Sequence, residues 1–79
     1  MAKERKLKNL WRGAFNYRQS ARIEYAYAFT ERQAWVIMCR RMAQKDGVSP
    51  SVVMGLFNGE RDNYQIGIET EFKEVTNDH

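Results

Sequence analysis

The chain has a single histidine, His79, and a single cysteine, Cys39. Nucleophilic catalysis needs a nucleophile held beside a base, and a lone histidine at the last position gives Cys39 or a serine no such neighbour. One Cys and one terminal His also fall short of a zinc site. Glu69 and Glu71 stand two apart on an alternating run and so share a face. As a carboxylate pair they would be an acid/base couple, but the ordinary role of such a pair is a solvated strand face. No glycine-rich loop of the phosphate-cradling type is present. The expectation is a protein that acts by binding, with no catalytic residue, metal or cofactor.

Binding chemistry is carried by charge. The 79 residues have a net charge of +3, which conceals a split. Residues 1–45 hold eleven Lys and Arg against Glu4, Glu24 and Glu31, a balance of +8. Residues 46–79 hold Arg61 and Lys73 against seven carboxylates, a balance of −5. Lys3, Arg5, Lys6 and Lys8 form a basic arm. Arg32, Arg40, Arg41 and Lys45 project from one side of a helical stretch. Together these eight are the candidate nucleic-acid-binding residues, touching phosphates without choosing sequence. Aromatic rings near Arg12, Arg18 or Arg22 would stack bases if exposed, but their alternation assigns them to the core. An acidic protein is the alternative partner for the same basic surface.

Cys39 lies in an apolar helical run, where a thiol behaves as a small hydrophobe. The absence of any cysteine pair points to the cytoplasm. The basic start lacks the apolar stretch of a signal peptide, and no run reaches membrane-spanning length. No membrane partner is expected.

These residues must be positioned by a small domain. Residues 1–9 read as a flexible basic arm, 10–73 as one domain and 74–79 as a polar tail. Trp11, Gly13, Phe15 and Tyr17 alternate with Arg12, Ala14 and Asn16. After a turn at Arg18-Gln19-Ser20, Ile23, Tyr25, Tyr27 and Phe29 alternate with Arg22, Glu24, Ala26 and Ala28. The expectation is a hairpin with one aromatic face. Thr30-Glu31-Arg32-Gln33 is a capping box that opens a helix. Its apolar stripe is Ala34, Trp35, Met38, Cys39 and Met42, and Ile37 falls among the polar positions. Gly47 closes the helix, with Val48 packing back. Ser49-Pro50 starts a second helix with Val52, Val53, Leu56 and Phe57 toward the core, stopped by Asn58-Gly59. A strand over 52–57 is the rival reading. Tyr64, Ile66, Ile68, Thr70 and Phe72 then mark one face of a last strand. The fold class is α+β: a three-stranded, mainly antiparallel sheet with two helices on its aromatic face, in the order β-β-α-α-β.

Residues 42–59 resemble the helix-turn-helix of LacI-type repressors. The resemblance rests on Ala43, Gly47, Val48, Ser49, Val53, Leu56 and Asn58-Gly59. It implies a frame that sets a short helix against DNA. Asp46 stands where that family has an apolar residue. The outward positions Ser51, Met54 and Gly55 offer no Arg, Lys or Gln for base edges.

Ala14, Ala26, Ala28 and Gly67 remain for the outer sheet face, among Arg22, Glu24, Glu69 and Glu71. So small and flat a surface suits packing against a second copy. A chain this short buries only about three-fifths of its unfolded surface, which adds to the case for a homodimer through that face or an edge strand.

Overall fold

A computed structural model describes residues 7–58 and 63–72. Strands β1 (Asn9–Tyr17) and β2 (Ser20–Ala28) are followed by helices α1 (Glu31–Asp46) and α2 (Pro50–Leu56) and by strand β3 (Tyr64–Thr70). The sheet is antiparallel with strand order β2-β1-β3. The fold is therefore α+β in the expected element order, and the 52–57 region is helical rather than extended. The arm positions Lys3, Arg5 and Lys6, with Gly59 and the 74–79 tail, lie outside the described residues.

Each helix end follows from its local sequence. Thr30 Oγ1 accepts from the Gln33 backbone N–H at 3.1 Å. The Gln33 side chain reaches back one residue further than in a standard capping box and accepts from the Phe29 N–H at 2.9 Å. Gly47 adopts φ 69°. Its N–H bonds to the Gln44 carbonyl, and the Val48 N–H bonds to the Ala43 carbonyl at 3.0 Å, closing α1 in a Schellman motif. Ser49 precedes α2 and its carbonyl accepts from Val52. Its hydroxyl pairs with Ser51 instead of capping the helix.

The hairpin turn corrects the expected facing of β2. The turn has two residues, not three: Tyr17 stands opposite Ser20, and Arg18 and Gln19 both take positive φ, 55° and 62°. This is the conformation of a type I′ turn, whose twist matches that of the flanking strands. Loss of one turn residue shifts the register by one, which exchanges the two faces of a strand. Trp11 therefore faces Ala26, and Gly13 faces Glu24. Ala26 and Ala28 are buried beneath the helices, while Ile23, Tyr25, Tyr27 and Phe29 are exposed. The outer face is consequently not the small, flat one. The helix side is aromatic along β1 and small along β2.

Small residues let the helix layer come close. A Cβ on Gly13 would lie 2.5 Å from Met38 Sδ, so α1 seats its sulfur in that gap. Trp11 Nε1 donates to the Ala28 carbonyl at 2.9 Å. Met38, Cys39, Met42 and Ala43 of α1 and Val53 of α2 complete the core. Phe57 closes one end, with its ring 5.0 Å from Phe15 edge-on and 5.8 Å from Tyr64. Such ring pairs contribute about 0.5–1.5 kcal/mol beyond the area they bury. Val52 and Leu56, expected in the core, are exposed, whereas Met54 packs against it. In β3 a register shift near Leu10 puts Thr70 opposite Leu10. Phe72 then reaches the outer face, with its ring 6.1 Å from Tyr27, and no longer shares a side with Ile66.

Candidate functional site

The basic side of α1 has internal partners. Lys45 Nζ lies 3.1 Å from Glu24 Oε2, and the glutamate side chain is only 6% exposed. A carboxylate that buried needs a compensating charge, so Lys45 serves the fold. Arg41 donates to the backbone carbonyl of Tyr25 on the edge strand β2. The Arg32 guanidinium sits 5.0 Å over the Trp35 ring, and Lys8 Nζ 5.5 Å over Phe29. Arg40 is exposed. The four α1 cations thus share a helix, but three of them also hold contacts within the domain.

The residues behind the repressor resemblance divide similarly. Ala43 and Val53 are buried, Val48 is half-buried and Gly47 ends α1. Leu56 is exposed, as are Ser51, Val52 and Gly55, so the outer side of α2 presents small and apolar groups. Asp46 is tied to the hairpin turn. Its carboxylate stands 3.8 Å from Arg18 Nε and 3.7 Å from Arg22. Both guanidiniums also lie 5.4 Å from the Tyr17 ring centre. A hydrogen bond to Asp46 pushes the Tyr17 phenol above the ordinary tyrosine range, burial adds to the rise, and the Arg18 charge opposes it. This cluster joins the end of α1 to the tip of the hairpin.

Cys39 is fully buried, and desolvation raises its thiol from 9.0 to about 11. A thiol so held is a poor nucleophile at neutral pH. Glu69 is exposed beside Arg12 in a shallow depression of about 580 Å³.

The open face of the sheet brings together groups that the sequence reading had separated. Arg12 stands opposite Tyr25 on one side and opposite Gly67 on the other. Tyr25 is 44% exposed and Tyr27 56%. Residues two apart on a strand lie roughly 6.8 Å apart, so the two tyrosines leave the same face of β2 as near neighbours. Phe72 extends the row, and Leu10, Ile23 and Ala14 lie on the same face. Gly67 leaves open space beside Arg12, since a Cβ there would meet nothing within 4 Å. The depression is floored by Ala14 and Gly67, flanked by Arg12 and Gln65, and wraps around the free edge of β3. The signal for this face lay in the hairpin: a two-residue turn after Tyr17 forces Ile23, Tyr25 and Tyr27 away from the Trp11 side.

No family model, curated protein or solved structure matches this chain. Among the described residues, no helix is long and apolar enough to cross a membrane.

Proposed function

We propose that this domain is a non-enzymatic module that binds single-stranded nucleic acid on its open sheet face. The observation that carries the reading is the exposure of Tyr25 and Tyr27 on the same face as Arg12. Unpaired bases stack on exposed rings, each stack contributing about 1–3 kcal/mol with little sequence preference. Arg12 supplies a cation within the aromatic row, and Lys8 supplies a second over Phe29 at its margin. The surplus of +8 in residues 1–45 favours a polyanion in the same direction. Phosphate contacts from Arg40 and the basic arm would supplement the stacking. Arg41 and Lys45 have a smaller share, because Tyr25 and Glu24 already engage them.

Fluorescence anisotropy with labelled single strands and duplexes tests this. Single strands should bind more tightly than duplex, with affinity falling as salt rises. Replacing Tyr25 and Tyr27 together by Ala should weaken binding by roughly 30-fold or more. Absence of binding at low salt overturns the reading. Binding lost with Arg40→Glu but indifferent to both tyrosines would return the site to the helix.

A protein partner is the second reading, favoured by Leu10 and Ile23. These aliphatic groups share the open face and stack poorly on bases, yet pack well against another protein.

A further inference from the structure

The two edges of the sheet differ. On β2, the guanidinium of Arg41 occupies an edge carbonyl, that of Tyr25. On β3, no strand among the described residues pairs with the outer edge. The Asn16 N–H donates to the Asn63 carbonyl at 2.8 Å, which fixes the alternation along this pair. Gln65 and Gly67 then turn their backbone groups toward β1. Tyr64, Ile66 and Ile68 present theirs to the free edge. An open row of donors and acceptors is a template for another strand.

We propose that two copies of this chain pair antiparallel through the β3 edge, with the two-fold axis at Gly67. In that register Ile66 of one copy faces Ile68 of the second, and the reverse. Both residues offer edge-directed backbone groups, so each facing pair can exchange two hydrogen bonds. Gly67 meets Gly67 of the second copy in the non-hydrogen-bonded position, where Cα atoms approach to about 4.5 Å. Glycine leaves this close approach unobstructed, and a Cβ there would meet nothing of its own chain within 4 Å. On the helix side, Ile68, which is 48% exposed, gains isoleucine neighbours from the second copy. On the open side, the Gln65 amide falls opposite the Glu69 carboxylate of the second copy, and the two Glu69 groups stay apart.

A cleft of about 350 Å³ lies beside this edge, lined by Trp35, Phe57, Tyr64 and Ile66. The Trp35 indole N–H there is buried and has no acceptor among the described residues. The apolar groups of the second copy would arrive over this cleft. The pairing joins the two sheets into one of six strands with both open faces on the same side.

The full chain should sediment as a dimer at micromolar concentration. I68K should sediment as a monomer with an unchanged far-ultraviolet spectrum, because Ile68 is half exposed already. G67C should form a covalent dimer under mild oxidation, since a Cα separation of about 4.5 Å lies within disulfide range. Q65C should not, because its copies would stand about 13 Å apart along the strand. Buried Cys39 leaves the parent as an unreactive control. A monomeric parent, or Q65C linking as readily as G67C, overturns the proposal. If I68K fails to fold, the two cysteine variants still decide. None of these readouts contains nucleic acid, so they stand or fall separately from the preceding reading.

Discussion

Lys45 and Glu24 are held together across two elements, with the ammonium 3.1 Å from a carboxylate that helix α1 has covered. Glu24 stands opposite Gly13 on the helix side of the sheet, so water reaches it poorly. The lysine is 61% exposed and contributes its charge at modest desolvation cost. Replacing Lys45 by Met should leave the carboxylate without its cation and lower stability by about 1–3 kcal/mol. Arg40→Met, on the same helix but exposed, should change it by less than about 0.5 kcal/mol. Urea melts of the two variants check this, and equal midpoints would show that the ion pair carries no weight.

The facing of β2 has an equally direct test. Ala26 is 1% exposed and sits under the helix layer, whereas Tyr27 is 56% exposed. Ala26→Leu should overpack the site and cost about 1–3 kcal/mol. Tyr27→Ser should alter the melting midpoint little. The opposite ranking would mean that the strand is turned over.

Thr30 and Gly47 bound the long helix by different means. Thr30→Ala removes the hydroxyl that accepts from Gln33 and should cost about 1 kcal/mol. Gly47→Val forces a β-branched residue to φ 69° and should cost more, although a Cβ there meets no atom within 4 Å. The penalty is thus one of backbone conformation, and Gly47→Asn should recover part of it. Thermal melts of the three variants report the order.

Alkaline pH should weaken the fold through two groups. Cys39 is raised to about 11 and Tyr17 is raised above its ordinary value, so in both cases the folded state favours the proton-bound form. Their contribution is complete below the unfolded-state values, near 9 for the thiol and near 10 for the phenol. It is lost as pH rises through the folded-state values. Stability should therefore hold up to about pH 9 and decline above it. Cys39→Ala should remove the earlier part of that decline, as measured by the urea midpoint between neutral and strongly alkaline pH.

These outcomes separate what the sequence made legible from what it hid. The elements were legible because their boundaries are written locally: Thr30 to Gln33 opens α1, Gly47 closes it, and Ser49-Pro50 begins α2. The aromatic face of β1 was legible from alternation alone. The face of β2 was not, because both of its phases contain apolar residues. Only the length of the turn distinguishes them, and Arg18-Gln19 carries neither glycine nor asparagine to advertise two left-handed positions. The same slip hid the tyrosines of the open face. The four α1 cations were correctly grouped on one helix, but their partners come from distant strands and leave no mark in spacing.

Arg41 also sets a valence. Its guanidinium covers one carbonyl in the middle of the β2 edge, which makes that edge a poorer template than β3. If chains pair only through β3, as proposed, growth stops at a pair. With Arg41 shortened, the β2 edge would offer one more free acceptor, and pairing through both edges would extend the sheet beyond two chains. On the proposed β3 pairing, one side chain reaching one carbonyl would help to keep the assembly at two chains.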